Sequence, residues 1–66
     1  MGLQTKMKEY RAKTGMRQEE LAKLVGVRRE TIGNLENGKY NPSLRLAMDI
    51  AAVFECTVEE LFRFTD

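Results

Sequence analysis

The sequence predicts an all-α domain, a compact five-helix bundle, and three observations carry that prediction. Apolar residues recur at helical spacing in five separate segments. Gly, Asn and Pro punctuate the gaps between them. No run of alternating β-branched residues bounded by turns marks a strand.

The first helix is expected from about Gln4 to Lys13. Leu3, Met7, Tyr10 and Thr14 repeat every three or four residues, and Gly15 stops the pattern. The second runs from about Gln18 to Val25, with Leu21, Leu24 and Val25 on one face and Ala22 beside them. Gly26 suits the left-handed residue that follows a helix. The third runs from about Arg28 to Asn37, turns Ile32 and Leu35 inward, and stops at Gly38. Residues 38–42, Gly-Lys-Tyr-Asn-Pro, read as a loop. The fourth runs from about Ser43, a plausible N-cap, to Phe54. Nine of the eleven residues from Leu44 to Phe54 are apolar, so this helix is either central in the core or also meets a partner. The fifth runs from about Val58 to Phe64 and opens on the capping box Thr57-x-x-Glu60. Leu61, Phe62 and Phe64 overcrowd one face of so short a helix, so some of them are expected to be exposed or covered by another subunit.

At 66 residues the chain is one domain, residues 1–66, near the lower size limit for independent folding. It has no His and a single cysteine, Cys56, so neither a Cys/His metal set nor an internal disulfide can supplement the core. Cys56 reads as a small buried hydrophobe. No metal, cofactor or small-molecule ligand is evident. Catalysis is excluded on composition. The one serine, Ser43, is explained as a cap, and the carboxylates Glu19-Glu20 and Glu59-Glu60 are adjacent pairs that do not converge on one helix face. No apolar run approaches the ~18 residues of a membrane span, and no signal-peptide pattern opens the chain. A cytoplasmic location is expected.

The net charge of +1 conceals a strong asymmetry. Residues 1–45 hold ten Lys/Arg against five Asp/Glu, and residues 46–66 hold one Arg against five acids. A chain polarised in this way orients its basic side toward phosphate, although solvated faces alone would also account for the pattern.

The informative stretch is Gln18 to Glu36. Two helices that cross steeply through a tight turn need a small residue at their contact, filled by Ala22. They need a residue tolerant of positive φ in the turn, filled by Gly26. Leu21, Val27, Ile32 and Leu35 supply the apolar anchors at matching offsets. With these residues the chain resembles the phage repressor and Cro-like (xenobiotic-response-element) helix-turn-helix family. The likeness runs from about Lys6 to Phe62. It includes Arg-Gln-Glu-Glu-Leu-Ala at 17–22, Asn-Leu-Glu-Asn-Gly-Lys-Tyr-Asn-Pro-Ser at 34–43, Ala-Met-Asp-Ile-Ala at 47–51 and Thr-Val-Glu-Glu-Leu-Phe at 57–62.

The resemblance implies a third helix lying in the DNA major groove, with Arg29, Glu30 and Asn34 reading base edges and Gly33 facing the groove. The chemistry agrees, since Arg pairs with guanine, Asn with adenine, and Glu accepts from cytosine. Gly33 costs the helix ~1 kcal/mol relative to Ala. Close approach to the bases and a merely tolerated weakness both account for it. The resemblance further implies phosphate contacts from Gln18 at the start of the second helix, with Arg17, Arg28 and Thr31 around the same strand. Asn37, Lys39 and Asn41 would meet the other side of the groove, though Lys39 and Asn41 are also ordinary loop residues. Arg11 and Glu36 match positions that pair as a partly buried ion pair joining the first helix to the third.

Two departures from the family stand out. Arg17 and Arg28 occupy positions that commonly carry a Ser or Thr helix cap. Arg cannot accept the capping hydrogen bond and its charge opposes the helix dipole.

The expected partners are double-stranded DNA and a second copy of the chain. Leu46, Val53, Leu61, Phe62 and Phe64 are candidate dimer residues, most of which would serve equally as core. The expected function is that of a sequence-specific transcriptional repressor. The alternative is a protein-interaction module or antitoxin of the same fold. The cationic face of the third helix separates the two, because a pure adaptor has no use for it.

Overall fold

A computed structural model describes residues 2–65. Five helices and two short strands follow in chain order: β1 (Gly2–Thr5), α1 (Met7–Thr14), α2 (Gln18–Val25), α3 (Arg29–Glu36), α4 (Leu44–Val53), α5 (Val58–Leu61) and β2 (Phe62–Thr65). The helices pack around a core of Met7, Leu21, Ala22, Ile32, Leu35, Ile50, Ala51, Phe54 and Leu61. None of them is long and apolar enough to cross a membrane.

The all-α expectation therefore needs correcting at both ends. The first helix starts at Met7 rather than Gln4, and the fifth stops at Leu61 rather than Phe64. The residues released join Gly2, Leu3 and Thr65 in an antiparallel ribbon, pairing Gly2 with Thr65, Leu3 with Phe64, Gln4 with Arg63 and Thr5 with Phe62. Leu3 and Phe64 thus share one face, as do Thr5 and Phe62, and the period-two pattern is split across the two ends of the chain. Each strand has only four residues, too few to display an alternation within its own window. The Lys6 N–H donates to the Leu61 carbonyl at 2.9 Å and carries the pairing to the start of α1.

The ribbon also supports the loop after α3. Gly38 has φ +69°, and a Cβ built there would stand 2.5 Å from the Leu3 carbonyl oxygen. Both the left-handed backbone and the close approach of β1 demand glycine.

Helix starts follow local chemistry. The Ser43 hydroxyl accepts from the Leu46 N–H at 3.1 Å. Thr57 and Glu60 form the reciprocal capping box, at 3.1 Å and 2.9 Å. Hydrogen bonding from the Thr57 N–H, and then from its side chain, holds the Glu60 carboxyl below its usual range. Burial, and then the neighbouring Glu60 carboxylate, push the Cys56 thiol up, which suits a packing role for that cysteine.

At the end of α4 the Cys56 N–H reaches back to the Ala51 carbonyl at 3.0 Å. This closure forces Glu55 to φ +54°, the one positive φ outside glycine among the described residues. A side chain in the left-handed region costs ~1 kcal/mol. Glu55→Gly should raise stability by about 1 kcal/mol, or roughly 4–8 °C in melting temperature for a domain of this size. A calorimetric melt with no rise would show that the turn carries no strain.

Candidate nucleic-acid interface

Two of the helices meet through the turn Gly26-Val27-Arg28. Gly26 takes φ +72°, and the Val27 N–H donates to the Ala22 carbonyl at 3.0 Å, closing α2 and redirecting the chain into α3. Ile32 and Leu35 are fully buried against Leu21 and Ala22. The opposite face of α3 presents Arg29, Glu30 and Asn34, all exposed, around the half-buried Gly33. Thr31 is half-buried at the edge of that face.

One carboxylate holds this arrangement together. The Glu36 side chain is 0% exposed and the Arg11 side chain 17%. Arg11 Nε donates to Glu36 Oε2 at 2.6 Å, and Nη2 donates to Oε1 at 3.1 Å. Gln18 Nε2 donates to the same Oε1 at 2.8 Å. Arg11 Nη1 is occupied by the Met16 carbonyl at 3.0 Å, which ties in the segment before α2. The pairing of Arg11 with Glu36 fixes α1 to α3, and the Gln18 bond brings in the first residue of α2.

Gln18 is thereby positioned beside Gly33. A Cβ placed on Gly33 would lie 3.8 Å from Gln18 Nε2, an ordinary contact distance. Sterics inside the protein therefore do not require glycine at this position. Arg17, Gln18 and Arg29 line a shallow cleft together with Arg11 and Glu19. With Arg11 balanced by Glu36, Arg17 and Arg29 against the Glu19 carboxylate leave its rim cationic.

The two arginine N-caps adopt the extended backbone a cap requires, with φ/ψ of −82°/157° at Arg17 and −80°/155° at Arg28, yet neither gives a side-chain cap hydrogen bond. At Arg17 half of the capping arrangement survives, because its own N–H donates to Glu20 Oε1 at 3.1 Å. Arg28 is exposed at the head of α3. Asn37 is the C-cap of α3, and Lys39 and Asn41 are exposed in the loop beyond it, outside the cleft.

The candidate dimer residues separate by burial. Leu61 is core at 1% exposure and offers nothing to a partner. Leu46, Val53 and Phe62 pack against the core and are half-buried, and only Phe64 is exposed, at 54%. Two features of the site had no sequence expectation: the Gln18–Glu36 hydrogen bond and the β1 support behind Gly38. The Arg17-x-x-Glu20 spacing was a readable sign of the half cap.

A profile of the helix-turn-helix family matches residues 7–61. The chain belongs to that family, in its repressor- and Cro-like branch. An HTH-type transcriptional regulator of Archaeoglobus fulgidus is 66% identical over 64 residues, 97% of this chain and 91% of that one. The restriction-modification controller protein of Aeromonas hydrophila superposes with a TM-score of 0.76 at 33% identity, over 83% of each chain. SinR of Bacillus subtilis, a biofilm regulator solved in complex with DNA, gives a TM-score of 0.72 at 30% identity, over 80% of this chain and 86% of that one.

Two outcomes follow for this helix-turn-helix protein. Glu36→Gln leaves the Arg11 guanidinium without its carboxylate and should cost about 3–5 kcal/mol in urea unfolding. Equal stability would mean the network is not structural. Gly33→Ala, with room for its methyl, should gain ~1 kcal/mol of stability. A parallel loss of duplex affinity would assign Gly33 to close approach, and unchanged affinity would leave it a tolerated weakness.

Proposed function

We propose that the protein is a sequence-specific duplex-DNA-binding transcriptional regulator, a repressor that acts as a two-fold dimer on a near-palindromic operator. The observation that carries this is the exposed face of α3, with Arg29, Glu30 and Asn34, beside the cleft where Arg17, Gln18 and Arg29 gather. The relatives' description as HTH-type transcriptional regulators and the SinR–DNA complex support it.

On this reading α3 enters the major groove. Arg29, Glu30 and Asn34 provide a cation with paired donors, an acceptor and an amide, which together discriminate guanine, cytosine and adenine edges. Gln18, Arg17, Arg28 and Thr31 hold the phosphates on one side of the groove, and Asn37, Lys39 and Asn41 those on the other. These contacts fix register without reading sequence. Glu36 orients the Gln18 amide, so that group is already in place when DNA arrives. The amide's second N–H is its donor for phosphate. A dimer doubles the contacts and places half-sites ~34 Å apart, one helical turn. Repression then follows from occupancy, since a bound dimer covers its site.

The two arginine caps test the proposal. Each gives up as much as ~1 kcal/mol of helix stability, and the proposed return is phosphate attraction. Arg17→Thr and Arg28→Ser should raise the melting temperature while lowering duplex affinity. Each should also reduce the slope of log K against log salt by roughly 0.9, the value for one lost phosphate contact. Unchanged affinity would remove both arginines from the interface. Selection of bound sites from a random duplex pool should return a near-palindrome. No binding to any duplex at low salt would favour a protein-interaction module instead.

A further inference from the structure

α4 has two apolar sides. Ala47, Ile50 and Ala51 face the core, while Leu44 and Met48, one turn apart, remain 74% and 56% exposed. Ala52, also exposed, continues the line at the same four-residue spacing. Arg45 and Asp49 flank this stripe and pair with each other at 3.4 Å, the Arg45 side chain standing 90% exposed. Nothing within the described chain covers the stripe. Sequence periodicity did not single it out, because Leu44 and Met48 were indistinguishable from core residues on a helix apolar nearly all round.

We infer that the Leu44–Met48–Ala52 stripe is the surface on which two copies of the chain meet about a two-fold axis. This rests on the dimeric reading above and names its surface. The case for a second copy as the occupant is electrostatic. A two-fold axis brings a surface against its own image, so a patch with net charge repels itself. α4 carries one cation and one anion and is neutral. The alternatives are not balanced in this way. The face around Arg17 and Arg29 is cationic, the first turn of α5 holds Glu59 and Glu60, and of the other exposed apolar residues Phe64 adjoins Arg63 and Leu24, 62% exposed on α2, adjoins Lys23. Antiparallel α4 helices bring Arg45 opposite the partner's Asp49, exchanging an exposed contact within one helix for two across the interface.

Position favours the same surface. α4 packs on α2, and Leu44 follows the end of α3 by a short loop, so contact through α4 sets the separation of the two α3 helices. A standard interface takes ~800 Å² from each partner, about a sixth of the 4685 Å² surface of this chain. Tyr40, exposed in the loop leading into α4, adds area on the approach to the same helix.

Sedimentation equilibrium over a concentration series tests the surface. The parent should reach twice the 7.6 kDa chain mass. The Leu44→Glu/Met48→Glu double variant should remain at the single mass with self-association weakened at least about 100-fold, and with unchanged helical circular dichroism. Phe64→Ser should stay dimeric. A parent that stays monomeric, or a folded double variant that still dimerises, would overturn the inference. A second pair of variants is independent of apolar exposure. Arg45→Asp and Asp49→Arg should each fail to dimerise alone and associate when mixed, and no association in the mixture would overturn it too. Gel shift on random duplex at low salt keeps the two readings apart. The monomeric variant should still bind, more weakly. Loss of all duplex binding by the parent would remove the DNA reading and leave the sedimentation result standing.

Discussion

The Glu36 carboxylate is the constraint on which the rest of the structure depends. A carboxylate moved out of water costs several kcal/mol unless its oxygens are fully paired. Glu36 is fully enclosed, and three N–H donors from two other segments of the chain converge on it. Apolar packing around Leu21, Ile32 and Leu35 brings α1, α2 and α3 together but tolerates small rotations. The bidentate Arg11 bond does not, because a fork geometry is satisfied in one relative orientation. The angle at which α3 stands out from the body is therefore set by polar chemistry and sealed by the hydrophobic core.

Much of this was legible in the sequence, for identifiable reasons. The turn between α2 and α3 depends on Ala22, Gly26 and the apolar anchors around them, all close in sequence, and local patterns report local structure. The caps at Ser43 and Thr57 were legible for the same reason. The ribbon was not, because its strands lie at opposite ends of the chain and neither is long enough to reveal a period of two. Its effect reaches further than its size, since Gln4, Thr5 and Phe62 to Phe64 fit a helical spacing in the sequence and pair as strands in the fold. Candidate partner residues were hard to sort. Leu46, Val53 and Leu61 have the same composition signature as Leu44 and Met48, and only the rotation of α4 and α5 against the core separates them. On the candidate site, the sequence marked the exposed groups of α3 but gave no sign that Gln18 is held by Glu36 and lies beside Gly33.

The distribution of charge acquires a geometry from the fold. Arg17 and Arg29 stand on one cleft with the partly buried Arg11 between α1 and Glu36. Of the acidic residues in the C-terminal third, Asp49 is half-buried and paired with Arg45, Glu55, Glu59 and Glu60 are exposed, and Glu59 and Glu60 sit on the short α5. There they serve the helix dipole and the capping box. The net charge of +1 is thus the sum of a cationic cleft and of carboxylates that serve helix initiation.

The pairing of Gly2 with Thr65 has a consequence for the order of folding. The α2–α3 unit closes through neighbours in sequence and can form early, whereas the ribbon must first bring together segments separated by nearly the whole chain. It is accordingly the last element to assemble and the first to fray. Gly38 takes its place against β1 only once the two ends have joined. Lys39, whose N–H donates to the Asn34 carbonyl at 2.9 Å, is tied to α3 itself, so the loop is held from within by the end of a helix and braced from outside by the meeting of the chain's two ends.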